Sequence, residues 1–376
     1  MLAAKTLLPV LLGLLGVGCG EVEVGSVSEA SALGDSYFRG PAPAGSAAAW
    51  SFVLLSGMTC ADGSATGIGV NFASRASGKL LIYLEGGGGC WDVTTCRDSL
   101  HIQNANLGGF DATAFQQVMV TGSSRYVPAI PANYGAMGIW DRTSSENPFR
   151  DYDYVYIPYC TADFHAGNLP QSPTDGLSHV GYRNMTRALV YLAEIHTPSS
   201  TKQVVLSGGS AGGFGALWNF PQTQAAFGPI PVTLLAESGP PLPAPYLASA
   251  LEEAWRVAWG LDGTKSAAAP STHFFPYLQW IARTHPSRRL NFVAMTGDVA
   301  ISRFLGISLL GENSLSNGLF SMRVQLQSTS PSASVFLIPT LAHTVIHQAP
   351  ESWPAPSLPY GMNNLTLSHW IDLAVH

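Results

Sequence analysis

Charge is what this chain has least of: only 11% of its 376 residues are Asp, Glu, Lys or Arg. Its 18 basic residues gather into no tract and are outnumbered by 24 acidic ones, and a net charge of −6 disfavours nucleic acid as a partner. After the first twenty residues no apolar run is long enough to span a bilayer. No heptad, G-X-Y period or internal repeat is visible, which excludes fibrous and solenoid architectures. No Cys-x-x-Cys pair is present, so the commonest zinc spacing is missing. Set against these absences are 46% hydrophobic residues and a mean hydropathy of +0.17, too apolar for disorder. The balance describes a globular protein with a large core, of the size and class of an enzyme.

Residues 1–19 read as a signal peptide. Lys5 precedes the run Leu7-Leu8-Pro9-Val10-Leu11-Leu12, and small residues follow up to Cys19. The ending resembles a bacterial lipoprotein signal, in which Cys19 takes the lipid, although Gly16 stands where Leu is usual. An ordinary signal peptide cut a few residues later is the equal alternative. Either reading sends the protein out of the cytoplasm, as an envelope lipoprotein or a secreted protein. Residues 20–45 are small, polar and turn-rich and read as a flexible tether, which leaves 46–376 as a single catalytic domain. Four further cysteines, Cys60, Cys90, Cys96 and Cys160, imply two disulfides in an exported protein. Of the three possible pairings, the short separation of Cys90 and Cys96 allows a local loop and leaves Cys60 for Cys160.

Six continuous apolar runs begin at Leu80, Tyr154, Val204, Val232, Phe292 and Val335 and end in Gly-rich or acidic turns. Such runs suit strands buried on both faces of a mostly parallel sheet. Helical periodicity lies between them, with Met185, Leu189, Leu192 and Ile195 on one face of residues 181–195 and a similar pattern over 247–259. The alternation implies an α/β fold with a doubly wound sheet, and the loop signals from Cys90 to Asp151 imply a large irregular insertion. Chemistry in such a sheet collects at the carboxyl ends of the strands.

Gly208-Gly209-Ser210-Ala211-Gly212 is a Gly-x-Ser-x-Gly motif between a strand and a helix, the context in which a serine is lifted clear of the sheet as a nucleophile. The N–H of Ala211 then faces a developing oxyanion. Gly86 to Gly89 form a second glycine loop after an earlier strand, and Gly87 and Gly88 are candidate oxyanion donors. A serine needs a base and an acid, in the chain order Ser, acid, His for this fold. Asp298 and His343 each follow a late strand. His347 and His369 compete as the base and Asp262 as the acid. His343 and His347 are four apart, as in a zinc helix, but Thr344 replaces the glutamate that such a helix requires. The rings of Trp91, Trp140, Tyr152, Phe164 and Trp218 read as core before platform, and Asp163 and His165 as local hydrogen-bonding partners.

These motifs resemble the pectin acetylesterase/Notum family of serine carboxylic-ester hydrolases. The likeness runs from about Gly57 to the end. It includes Cys60-Ala61-Asp62-Gly63-Ser64, the Tyr83 to Cys90 loop, Glu146-Asn147-Pro148-Phe149, Tyr154 to Cys160, Ser207 to Asn219, and Glu237-Ser238-Gly239-Pro240-Pro241. The resemblance implies the α/β-hydrolase fold, no cofactor and no metal, a triad of Ser210, Asp298 and His343, and oxyanion donors on Gly87, Gly88 and Ala211. Gly89 stands where an aromatic residue is common, and the missing ring would widen or reshape the acyl side of the cleft. Glu237 stands where Asp is frequent. The expectation is an exported, monomeric esterase that removes acyl groups, acetyl first among them, from a polysaccharide such as pectin, touching a membrane only through a lipid anchor. A deacylase of longer lipid or protein esters, a peptidase of the same fold and a non-catalytic surface binding protein are the alternatives.

Overall fold

The computed structural model describes residues 50–102, 104–121, 134–353 and 365–376. The expected signal peptide, Cys19 and the tether lie outside the described residues.

Among the described residues eight strands form one sheet: β1 (Ser51–Thr59), β2 (Ala65–Asn71), β3 (Lys79–Leu84), β4 (Asp153–Ile157), β5 (Gln203–Gly209), β6 (Val232–Glu237), β7 (Leu290–Met295) and β8 (Ala333–Ile338). Their spatial order is β1-β2-β4-β3-β5-β6-β7-β8. The six expected strands are β3 to β8, and all of them run parallel. Their continuous hydrophobicity has the expected cause. Leu80, Ile82 and Leu84 of β3 enter one core cluster while Leu81 and Tyr83 enter the other, so both faces are covered.

The β1–β2 hairpin was not expected from the sequence. It adds two antiparallel strands at the β4 edge. Glycine interrupts its pattern for a steric reason: a Cβ on Gly67 would lie 1.9 Å from the carbonyl oxygen of Val53, and one on Gly69 2.2 Å from the Phe115 ring.

The helices are α1 (Ala112–Gln116), α2 (Gly181–Ile195), α3 (Ala211–Phe227), α4 (Ser249–Trp259), α5 (Phe274–Thr284), α6 (Val299–Leu305), α7 (Leu315–Thr329) and α8 (Leu367–Val375). In α2, Met185, Leu189 and Leu192 are buried as expected, but Ile195 at its end is 42% exposed. Helix α3 packs Phe214, Leu217 and Trp218 into one core cluster, and α8 places Trp370 and Ile371 in the other. The described part of the Cys90–Asp151 insertion holds only α1 and single helical turns. Disulfides join Cys60 to Cys160 and Cys90 to Cys96. The first ties the β1–β2 turn to the end of β4, and the second closes a loop just after the glycine run. Asn184 is buried, and its amide bonds both the N–H and the carbonyl of Thr59 at 3.0 and 2.8 Å, which ties α2 to the end of β1.

Candidate active site

Ser210 sits between β5 and α3 with φ +57° and ψ −122°, a conformation that a residue with a side chain rarely holds. The glycines around it exist for space. A Cβ on Gly208 would lie 2.2 Å from the carbonyl oxygen of Gly212, and one on Gly212 1.9 Å from that of Leu84. The turn is pinned by the N–H of Ser210 donating to the carbonyl of Glu237 at 2.8 Å. Ala211 opens α3, so its N–H has no acceptor within the helix and lies at the positive end of the helix dipole.

The glycine loop after β3 is held from several sides. Gly89 N–H donates to the His101 carbonyl at 2.7 Å, Cys90 N–H to Ala162 at 3.0 Å, and Tyr159 Oη to the Gly88 carbonyl at 2.7 Å. Gly87 and Gly88 have φ of +154° and +86°, and a Cβ on Gly88 would fall 1.8 Å from the His101 carbonyl oxygen. Among the described residues nothing accepts from the N–H of Gly87 or Gly88. Two rigidly held donors without acceptors among the described residues suit a developing oxyanion.

Asp298 follows β7 and caps α6, with Oδ1 accepting from Ile301 N–H at 2.9 Å. Its other oxygen, Oδ2, lies 2.8 Å from His343 Nδ1, the histidine that follows β8. Asp298 is buried and the His343 side chain is about a third exposed, so the ring is anchored at one nitrogen and open at the other. Ser210, Ala211, Gly87, Gly88 and His343 line one cavity of about 370 Å³. Phe164, Phe214, Phe304, Ile301, Leu100 and Leu341 supply its apolar wall.

The competing candidates lie elsewhere or are otherwise engaged. Asp262 is exposed and pairs with Arg256, and His369 is exposed on α8. His347 lines the cavity, but its Nε2 is taken by the hydroxyls of Tyr83 and Tyr134, and burial pushes its pKa down to about 3, leaving it neutral. His343 and His347 lie on no helix, so the zinc-helix geometry is not formed. Cys90, Cys96 and His179 cluster closely enough to suggest a metal, yet the two sulfurs bond each other and His179 Nε2 is 3.0 Å from Asp175 Oδ2. Asp163 accepts from Thr161 Oγ1 and three backbone N–H groups, and His165 Nε2 bonds the Glu85 carbonyl, the local roles expected of them. Of the five candidate rings, Trp140, Tyr152, Phe164 and Trp218 are buried and Trp91 is partly so. Phe164 alone among them reaches the cavity.

A Cβ at Gly89 would sit 2.8 Å from the Phe164 ring, which stacks on Phe214 at 4.8 Å. Phe164 packs beside position 89 and reaches the cavity, so it supplies aromatic surface on that side.

Two buried carboxyls were not read from the sequence as parts of the site. Glu85 lines the cavity, accepts from Tyr134 Oη at 3.1 Å, and is raised by burial from 4.5 to about 7. Tyr83 and His347 stand beside it. Glu237, noted only as a departure, is fully buried and raised to about 7 by burial, against the lowering pull of the Val345 and Ile346 N–H groups. A lone Glu or His carries no local pattern that marks it as buried.

A mostly parallel sheet in this order, with a strained serine between β5 and α3 and an Asp-anchored histidine after the last strand, is of the α/β-hydrolase fold class. The family profile described as pectinacetylesterase matches residues 51–265, and the chain belongs to that family. Among curated relatives, palmitoleoyl-protein carboxylesterase NOTUM of Schmidtea mediterranea is 30% identical over 162 residues, 43% of this chain and 27% of that protein. Inactive palmitoleoyl-protein carboxylesterase notum1b of Danio rerio is 31% identical over 130 residues, 34% of this chain and 78% of that protein. The chain spans about a quarter to a third of the length of the first relatives it matches. The solved structure of the Wnt deacylase Notum from Drosophila shares the fold, with a TM-score of 0.59 at 21% identity over 87% of this chain and 93% of that one.

Proposed function

We propose that this chain is a serine carboxylesterase whose triad is Ser210, His343 and Asp298. The observation that carries the reading is a single cavity lined by a strained serine, a histidine anchored on a buried aspartate, and two glycine N–H groups without described acceptors. His343 Nε2 takes the proton of Ser210, whose Oγ attacks the ester carbonyl. The N–H groups of Gly87, Gly88 and Ala211 hold the oxyanion, and Asp298 holds the imidazolium that forms. The alcohol leaves with the proton from His343, and water repeats the sequence on the acyl-enzyme. No step calls for a cofactor.

The family supports an acetyl ester on a polysaccharide such as pectin as the substrate. The apolar wall built by Phe164, Phe214, Phe304 and Leu341 favours a second reading, a longer acyl chain, as on the lipidated proteins for which the Notum relatives are named. Two disulfides and the signal-like start support export, with Cys19 as a lipid site or part of a cleaved leader. Residues 46–376 form the catalytic domain in this reading, and the enzyme is monomeric. Hydrolysis of 4-nitrophenyl acetate, butyrate and octanoate by the mature protein, beside Ser210→Ala, is the test. The variant loses roughly 10³-fold or more in kcat, and the chain-length profile separates deacetylase from lipid deacylase. A Ser210→Ala enzyme as fast as the parent sinks the assignment; a folded parent inert on every ester favours a binding protein.

A further inference from the structure

We propose that Glu237 and Ser238 are positioning residues that bind the nucleophile turn and the histidine loop into one unit; this rests on the Ser210–His343–Asp298 reading above. Neither residue lines the cavity, so neither touches the ester. Both act through what they hold.

Three links converge on this dipeptide at the end of β6. The carbonyl of Glu237 accepts the N–H of Ser210 at 2.8 Å. Its Oε1 accepts the N–H groups of Val345 at 2.6 Å and Ile346 at 3.1 Å. Ser238 Oγ donates to the carbonyl oxygen of His343. The histidine is therefore held by its own carbonyl and by the residues two and three places beyond it.

The segment from Pro339 to His347 contains no regular helix or strand, so its N–H and C=O groups have no ladder to join. Its other described backbone ties, among them Gly297 N–H to Thr340 at 3.1 Å, Ala342 N–H to Thr340 Oγ1 at 3.2 Å, Gln348 N–H to Val345 at 2.9 Å and Ile139 N–H to Ile346 at 3.0 Å, flank the histidine without reaching it. Glu237 is fully buried, and Oε2 has no partner among the described residues, a placement unfavourable for a carboxyl unless its other oxygen is needed. Ser238 has φ +52°, and its N–H is held by the Val293 carbonyl at 2.9 Å. Two unfavourable features in succession, a buried carboxyl and a positive-φ serine, sit where the two halves of the site meet.

The chemical consequence concerns His343 Nε2. Its proton transfer with Ser210 depends on placement finer than one ångström, and a slip of that size lowers the rate by about 10²-fold. Asp298 fixes the ring at Nδ1 only, whereas the loop sets where the ring hangs.

The test compares the mature full-length protein with Glu237→Gln, Glu237→Leu, Ser238→Ala and Ser210→Ala on 4-nitrophenyl butyrate. It reads kcat, KM and melting temperature, together with the downfield proton resonance of the imidazole N–H shared with Asp298. Glutamine keeps an acceptor oxygen at the same reach, so Glu237→Gln stays within several-fold of the parent in kcat. Glu237→Leu falls by about 10²-fold in kcat with KM nearly unchanged, and Ser238→Ala by about 10-fold. The imidazole resonance broadens in Glu237→Leu and returns in Glu237→Gln. A folded Glu237→Leu enzyme with parental kcat, or a Gln variant as slow as the Leu variant, overturns the proposal. If the Leu variant does not fold, Ser238→Ala decides, and parental kcat there overturns it equally. Activity surviving in Ser210→Ala rejects the esterase triad itself, a failure separate from that of the bracket.

Discussion

Glu252 offers a test of the physics outside the catalytic site. It sits on α4, is 5% exposed, and its Oε1 accepts the N–H of Phe274, the first residue of α5, at 2.7 Å. His273, the residue before that helix, supplies no side-chain cap, so Glu252 does the capping from a neighbouring helix. Burial nevertheless wins over this bond and raises the carboxyl from 4.5 to about 7. Below about pH 4.5 the folded and unfolded chains both keep the proton, and the group carries no penalty. Between there and about pH 7 the unfolded chain releases it while the folded one holds it, so stability falls as pH rises. Above about pH 7 the full penalty remains, about 3 kcal/mol for a shift of this size. Glu252→Gln keeps an acceptor for Phe274 and never ionises. It should therefore be more stable than the parent by about 3 kcal/mol near pH 8 and by under about 1 kcal/mol near pH 5. Urea unfolding followed by tryptophan fluorescence reads the difference, since Trp255 and Trp259 are buried on the same helix. A gain of equal size at both pH values would refute the argument, because it would show that ionisation is not the cause. Glu252→Leu strands the Phe274 N–H and loses about 1–3 kcal/mol against the glutamine variant.

Gly212→Ala should abolish activity and lower the melting temperature, because its Cβ would fall 1.9 Å from a backbone oxygen that cannot yield without moving β3; circular dichroism and ester hydrolysis measure both. Asp298→Asn should leave the fold intact and lower kcat by roughly 10³- to 10⁴-fold, as the His343 ring loses its anchor; a kcat within several-fold of the parent would remove Asp298 from the mechanism. Cys90→Ser with Cys96→Ser should lower stability by about 2 kcal/mol, as expected for so short a loop, and lower kcat more than it changes KM, since the bridge follows directly on Gly87 and Gly88. Unfolding curves and steady-state kinetics on one preparation separate those two effects.

What could be read from the sequence follows from how each feature is built. The parallel strands were legible because burial on both faces writes a continuous apolar run, as in Leu80 to Leu84 and Val204 to Leu206. The β1–β2 hairpin was not, because Gly67 and Gly69 yield to the backbone of Val53 and the ring of Phe115, and neither neighbour is visible from residues 65–71 alone. The same division runs through the candidate site. Ser210 and the Gly86–Gly89 run announce themselves because strained or crowded backbone demands glycine at fixed offsets. Asp298 and His343 carry no such pattern, and only their places after β7 and β8 set them apart from Asp262 or His369. Glu237, Glu85 and His347 carry no signal of their burial. A buried carboxyl or imidazole looks in sequence like a surface one, and what distinguishes it, the N–H groups of Val345 and Ile346 or the hydroxyls of Tyr83 and Tyr134, arrives from distant parts of the chain. The candidate nucleophile and the glycine loop are thus marked by the local conformation they require, whereas the groups that would hold them in place are marked only by tertiary contacts. That is why the bracket at Glu237 and Ser238 emerges only once the end of β6 and the loop after β8 are seen side by side.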